Sequence, residues 1–396
     1  MPMGKRRGYD EREGNPMRIT FVMDGPIWRP YGAPKVIYQY ANRLASRGHQ
    51  IAVVHPTRIR NLLPPSSVAG WLKDRAREAR NLAVAWGLLG HRRVRWFTID
   101  PRVRMLFVPD LRASYVPDGD VVIASQESAA EEAAQYPDQK GCKFHMVQTY
   151  PGWGGSVERT NQTWRMPLHK ILVAYWLFEL GLSLGCDASE MTVVPNGVDL
   201  DQYRLINPIA SRPKRVALLY SLREQKGSAD GIAALEFAKK AHPSLQAVFF
   251  GTNHRRPSVP SWVEFRFDPP QEEIVQEIYN GSSILLFPSW REGFPLIPSE
   301  AMACGCAVVS TDCPGVQEFA QHEVNALLSP PRDIEALTKN LLRLLDDDAL
   351  RIRLAQAGVE TIKQFTWERS TDLLEALLKS KVQGKNLADA EAVSRR

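Results

Sequence analysis

The stretch Arg291-Glu292-Gly293-Phe294-Pro295-Leu296-Ile297-Pro298-Ser299-Glu300 carries two acids eight positions apart around a glycine-containing loop that runs into Ala301-Met302-Ala303. Just before it, the apolar run Ile284 to Phe287, closed by Pro288 and Ser289, reads as a buried parallel strand. The loop therefore leaves the carboxyl end of a strand and enters a helix N-terminus. Open α/β sheets bind ligands at that edge, and unpaired backbone N–H groups there attract anions. Pro298 suits the first helical turn, since it lacks only an N–H that has no partner anyway, and Gly305 suits the stop. Glu292 is expected in the loop and Glu300 at the helix start, facing one cavity from two sides. Such a segment can hold a phosphorylated sugar.

Outward from this point, strands alternate with helices along the whole chain, the mark of parallel-sheet α/β architecture. The pattern predicts strands over 18–23, 51–54, 121–124, 143–148 and 171–174, with a Gly- and Pro-rich loop over 24–35 and an amphipathic helix over 36–47 stopped by Gly48. Val193 to Asp199 supplies a turn, and 207–213 reads as a linker. The alternation then restarts, with strands over 215–220, 246–250, 263–267, 282–287 and 307–311 and helices over 229–240 and 271–280. From Asp333 the chain is mainly helical, and 380–396 is polar enough to fray. Two similar halves joined near residue 210 leave a cleft between them, the default place for a ligand.

A chain of 396 residues has room for two full cores. It has no uncharged apolar stretch of transmembrane length, and MPMGKRRGYDEREGN has no apolar core of a signal peptide, which argues against membrane-spanning and secreted readings. Cys142, Cys186, Cys304, Cys306 and Cys313 fit neither a zinc ribbon nor a disulfide scaffold and read as reduced, mostly buried thiols of a cytoplasmic protein. The net charge of +6 is concentrated: residues 58–104 hold eleven Lys/Arg against three acids. Within that segment, Trp71, Leu72, Leu82, Trp86, Leu88 and Leu89 lie among the arginines. Such a helix can rest in an anionic membrane interface, or it can be a solvated surface helix with its apolar side on the core. No nucleic-acid motif accompanies the patch, so nucleic acid is not the expected partner.

Glu292-Gly293-Phe294 with Glu300, the run Ala301 to Asp312, and Pro314-Gly315-Val316-Gln317-Glu318 resemble the signature of family-4 retaining glycosyltransferases of the GT-B fold (glycosyl transferases group 1). Weaker matches fall in the right order: Tyr31 to Lys35 with the N-terminal glycine loop, Pro195 to Asp199 with the interdomain turn, Lys226-Gly227 with the phosphate-binding pair, and Phe365 to Glu368 with the start of the last helix. The resemblance implies two Rossmann-like α/β/α domains facing each other across a cleft, with the last helix crossing back to the N-terminal domain. In that frame, 1–16 is a flexible extension and 17–206 the acceptor-binding domain, with helix 366–379 packed back on it. Residues 207–365 form the nucleotide-sugar domain, and 380–396 a flexible tail.

The same resemblance implies a nucleotide diphosphate sugar as donor and a glycan or lipid-linked glycan as acceptor, with no cofactor and no metal. Glu300 would accept hydrogen bonds from both ribose hydroxyls. Glu292 would stand near the donor sugar, while N–H groups of Gly293, Phe294 and Leu296 hold hydroxyls and phosphate oxygens. Lys226 would neutralise the diphosphate, and Gly32 would bring its N–H from the opposite lobe. The base is expected near Asp268, and Gln148 and Thr149 are candidates for sugar or acceptor contacts. One departure stands out: the arginine usual five residues before the lysine is Ser221, so Arg223, or a cation from elsewhere such as Lys35, must serve. That departure leaves open a scaffold that binds nucleotide sugar with weakened catalysis, and a GT-B epimerase or phosphorylase is a further alternative. Asp118-Gly119-Asp120 precedes a strand and reads as a turn rather than a metal site. If the arginine-rich segment touches a membrane, the protein is peripheral on its inner face.

Overall fold

The computed structural model describes residues 15–25, 30–57, 68–85, 94, 96–151 and 156–394. Expectations on the other residues lie outside the described ones, among them most of the N-terminal extension and Arg58, Arg60, Arg92, Arg93 and Arg95 of the basic segment. The first half contributes β1 (Arg18–Val22), β2 (Gln50–Pro56), β3 (Arg104–Val108), β4 (Val121–Ala124), β5 (Cys142–Val147), β6 (His169–Leu172) and β7 (Met191–Val193). Helices α1 (Gly32–Ser46), α2 (Val68–Ala85), α3 (Glu127–Ala134), α4 (Val157–Trp164) and α5 (Tyr175–Ser183) connect them. The strands are parallel in the order β3-β2-β1-β4-β5-β6-β7. The central strands are Val- and Ile-rich because helices bury both faces of the sheet.

The second half repeats the plan with β8 (Arg215–Leu219), β9 (Gln246–Gly251), β10 (Glu264–Phe267), β11 (Ile284–Phe287), β12 (Ala307–Thr311) and β13 (Ala326–Ser329), ordered β10-β9-β8-β11-β12-β13. Its helices are α6 (Ser228–Ala241), α7 (Gln271–Glu273), α8 (Leu296–Ala303), α9 (Ile334–Asp346) and α10 (Asp348–Ile362), followed by α11 (Trp367–Ser394). In each sheet the order reverses beside the first strand, between β1 and β4 and between β8 and β11. Loops leaving these strands at their carboxyl ends diverge and open a crevice, the usual ligand position in an open α/β sheet.

Several bounds differ from the sequence reading. Helix α1 begins at Gly32 rather than 36, because Pro34 falls in the first turn, where no N–H is needed. For the same reason α8 begins at Leu296, so Glu300 lies in its second turn and not at its start. The expected helix 271–280 is one α-turn and then a π-helix over Ile274–Tyr279. The π-helix leaves Asn280 free to bind Ile206 N and Asn207 N with its side-chain oxygen. The segment read as a linker is anchored by buried Arg212, which donates to the carbonyls of Asn207, Tyr279, Ser282 and Cys304. Residues 380–394 continue α11 instead of fraying. Strands β3, β7 and β13 and helix α5 had no distinct signal: the strands are short, and α5 is apolar nearly all round.

One apolar cluster runs through both halves, joining Trp164, Leu172 and Leu177 to Phe287, Phe294, Met302 and Cys304. The last helix returns to the first half. Trp367 stands edge-on to Tyr40 at 5.4 Å, Arg47 pairs with Glu375 at 2.7 Å, and Ser370 Oγ donates to Pro195 O at 2.6 Å. The crossing is tight at Gly197, where a β-carbon would lie 2.2 Å from Trp367 N. Gly197→Ala is therefore expected to lower the unfolding free energy by roughly 1–3 kcal/mol, the usual effect of overpacking a filled site. Urea unfolding checks this, and an unchanged midpoint would contradict it.

Candidate active site in the interdomain cleft

The loop after β8 is short and fully tied. Ser221 N donates to Ser228 Oγ at 2.9 Å, Arg223 N donates to Ser221 Oγ at 3.2 Å, and a tight turn over Glu224–Lys226 ends at Gly227 with φ 63°. A β-carbon on Gly227 would stand 1.9 Å from Pro288 O, so the turn lies directly on the loop after β11. Trp290 holds the two loops together, its N–H donating to Gln225 O at 2.8 Å and its indole Nε1 to Asp230 Oδ2 at 2.6 Å. This aims Lys226 at Glu292, with Nζ 2.7 Å from Oε1. Ser289 Oγ donates to the same oxygen at 2.6 Å, and the Thr311 hydroxyl donates to the Ser289 carbonyl. Glu292 is buried.

Glu300 projects from α8 into the crevice and meets a cation from the other half. Lys35 of α1 donates to Glu300 Oε1 at 2.6 Å and to the Tyr203 hydroxyl at 2.6 Å. Burial raises the Glu300 carboxyl, and Lys35 and the Tyr203 hydroxyl oppose that rise. Burial likewise pushes the Tyr203 phenol well up, helped by the Glu300 charge. Arg223, the expected second cation, turns to the N-terminal loop: its guanidinium lies 5.1 Å from the Tyr31 ring centroid, and Nη1 is 3.4 Å from the Tyr31 hydroxyl.

Across the crevice the two halves touch through backbone. A β-carbon on Gly293 would stand 1.8 Å from Gln148 O and 3.3 Å from Thr149 N, so the close approach that requires glycine is to the N-terminal half. Gln148 Nε2 donates to Ala33 O at 3.3 Å, and Trp176 Nε1 donates to Gly293 O at 2.9 Å. Glu318 receives the N–H of Tyr175 at 2.7 Å and caps α5 from the other half. Gly32 opens α1, with nothing within 4 Å of where its β-carbon would be. Phe294 is buried against Phe319 and Phe365, and Leu296 packs against clusters of both halves. Asp268 follows β10 with φ 47°, beside an exposed Phe267 stacked on His254 at 4.1 Å. Glu292, Lys226, Arg223, Glu300, Gly293, Gln148, Thr149 and Gly32 thus lie around the crevice, whereas Asp268 lies at the carboxyl edge of the outer strand.

The sequence reading missed Tyr203, Trp176 and a carboxyl pair. Asp24, just after β1, accepts Ala129 N at 3.1 Å and lies near Glu127 at the start of α3. Burial, reinforced by the Glu127 charge, pushes the Asp24 carboxyl up to about 7. Adjacent acids on neighbouring loops carry no sequence motif, so only the pairing of β1 with β4 reveals them. Other features take structural roles. Asp120 binds Arg18 and Asp118 binds Lys140. Cys142, Cys186, Cys304, Cys306 and Cys313 are free thiols, all but Cys142 buried.

Two facing parallel sheets with this crevice and this helical return are the GT-B glycosyltransferase fold. Residues 214–347 match the family described as glycosyl transferases group 1. Among relatives, the amylovoran biosynthesis glycosyltransferase AmsK of Erwinia amylovora is 27% identical over 51% of this chain and 54% of its own length. The N,N'-diacetylbacillosaminyl-diphospho-undecaprenol alpha-1,3-N-acetylgalactosaminyltransferase of Campylobacter jejuni is 32% identical over 23% of this chain and 24% of its own. The chain thus matches about half or less of these relatives' length. Anabaena Alr3699/HepE, solved in complex with UDP, superposes with a TM-score of 0.66 at 16% identity, covering 92% of this chain and all of that one.

The raised Asp24 carboxyl predicts a pH dependence. Below 3.8 the group is protonated in both folded and unfolded chains and contributes nothing. As pH rises towards 7 the unfolded chain ionises first, so folding loses stability, and above 7 the loss is constant. Asp24→Asn is expected to be more stable than the parent by roughly 1–3 kcal/mol at pH 8 and equal to it only near or below about pH 3, where the group is protonated in both states. Denaturant unfolding at the two pH values measures it.

Proposed function

We propose that the chain is a retaining glycosyltransferase. It moves a sugar from a nucleotide diphosphate sugar to a hydroxyl of a glycan or lipid-linked glycan in polysaccharide or glycoconjugate biosynthesis, without a metal ion. The observation that carries this reading is the convergence of the Lys226–Glu292 pair and Glu300 on one crevice from the switch point of the C-terminal sheet. UDP in the related HepE structure supports a nucleotide donor, and the Campylobacter relative's diphospho-undecaprenol name supports a lipid-linked acceptor. AmsK's amylovoran biosynthesis supports a polysaccharide setting.

In this reading the base lies against the loops after β9 and β10, near His254, Phe267 and Asp268. The ribose hydroxyls donate to Glu300, and the diphosphate lies between Lys226 and the start of α1 at Gly32. Lys226 neutralises the charge that builds on the leaving phosphate, and such electrostatic stabilisation is where transfers of this kind gain most of their rate. Arg223, the second cation the sequence suggests, is turned onto Tyr31 and reaches the phosphate only by leaving that ring. N–H groups of Gly293, Phe294 and Leu296 fix the sugar and phosphate oxygens, while Gln148 and Thr149 bound the sugar from the acceptor side. Glu292 Oε1 is committed to Lys226 and Ser289, so it positions the sugar rather than attacking it. The anomeric carbon–phosphate oxygen bond breaks first, leaving a short-lived ion pair. The acceptor oxygen then bonds from the same face and passes its proton to the departing phosphate. A closed cleft excludes water and favours transfer over hydrolysis.

The membrane reading rests on α2, whose described face exposes Val68 and Leu72 beside Lys73, Arg75 and Arg80, while Asn81 anchors the helix to Thr57 O at 3.2 Å. Among the described residues no helix is long and apolar enough to cross a membrane. The protein is cytoplasmic in this reading and docks peripherally on the inner face.

Glu300→Ala and Lys226→Ala are each expected to lower transfer at least ~100-fold with the fold intact. They should also shrink the thermal stabilisation given by whichever of UDP, dTDP, GDP or ADP raises the parent's melting temperature. Full transfer in both variants would remove the site assignment. Co-sedimentation with vesicles should increase with anionic lipid and fall with salt. Indifference to both would end the membrane reading.

A further inference from the structure

Glu300 is almost fully sealed from water, and a buried carboxylate without a counter-charge is strongly disfavoured. Among the described residues, its own domain supplies no cation to it. Lys35 does, from the first turn of α1, with only 13% of its side chain exposed and its ammonium 4.7 Å from the Tyr203 ring centroid. The oxygen that ribose hydroxyls need is therefore already held by an ammonium from the opposite domain. Two features set where that ammonium can go. Lys35 lies three residues after Gly32, on the same face of α1, and the space over Gly32 is open. Ser221 brings no charge to the phosphate side, and Arg223 is turned onto Tyr31.

We propose that Lys35 is an exchangeable cation of the donor site: without nucleotide it neutralises Glu300, and when the ribose hydroxyls take Glu300 it moves to the diphosphate beneath Gly32. This rests on the reading of Glu300 as the ribose ligand. Lysine suits the task because its charge is compact and its stem flexible, whereas a planar guanidinium would be fixed to one partner. Tyr203 stays with Glu300 throughout, so the carboxylate keeps a donor during the exchange. The exchange has a consequence for ligands of different length. A nucleoside must displace Lys35 and offers it no anion in return. A nucleoside diphosphate displaces it and accepts it.

The test is calorimetric titration of the parent, Lys35→Met and Lys35→Gln with two ligands. One is the nucleoside diphosphate, among those of uridine, thymidine, guanosine and adenosine, that stabilises the parent; the other is its phosphate-free nucleoside. Lys35→Met should bind the diphosphate at least ~10-fold more weakly, as expected for losing a hydrogen bond to a charged group, and the nucleoside equally or more tightly. The advantage of diphosphate over nucleoside thus falls by an order of magnitude or more. Lys35→Gln keeps an N–H for Glu300, which guards the fold, and should show the same collapse. Equal weakening of both ligands would assign Lys35 a purely structural role and overturn the proposal, as would an unchanged advantage. If no diphosphate stabilises the parent, the donor-site reading itself fails, and the proposal falls with it.

Discussion

A carboxylate taken out of water has to meet a positive charge, and the cleft depends on how its two carboxylates do so. Glu292 finds Lys226 on the neighbouring loop of its own domain, held there by Gly227 against Pro288 and by Trp290 against Gln225. Glu300 finds Lys35 on the other domain. The first pair needs only β8 beside β11. The second needs both domains in place, so the charge balance of the C-terminal domain is completed by its partner across the cleft.

That dependence is matched by how closely the domains approach. Gly293 lies against the Gln148 carbonyl with no room for a β-carbon, and Gly315 lies against the Gly293 carbonyl in the same way. Trp176 and Glu318 add hydrogen bonds across the boundary, both donated by α5: the Trp176 indole to the Gly293 carbonyl and the Tyr175 N–H to the Glu318 carboxylate. Apolar contact continues beneath them, where Phe294 and Met302 share a cluster with Trp164 and Leu177. Small residues let backbones meet, and the surrounding burial holds them there.

Much of this was legible in advance because it follows from local rules. Near-continuous apolar runs marked the central strands, and Gly and Pro marked the loops that leave them. Lys226, Glu292 and Glu300 stood out because they occupy such loops or the helix that follows. Other parts were not legible. The start of α1 was misplaced by four residues because Gly32 and Pro34 look like loop residues, although both are acceptable in a first turn. Arg212 looked like part of a flexible linker, yet its guanidinium satisfies several buried carbonyls from distant segments. Asp24 and Glu127 are far apart in the chain, and nothing local connects them.

By itself, the sequence determined the class of architecture, the repetition of one α/β plan in two halves, and which loop of the second half carries the acids. Those features depend on periodicity and on turn chemistry, which act over a few residues. The tertiary structure alone decided the partners: Lys35 on Glu300, Tyr31 beside Arg223, and Gln148 against Gly293. Each of these is a contact between domains. It depends on how two independently patterned sheets are turned toward each other, and the only local trace of that in the chain is a glycine where a side chain will not fit.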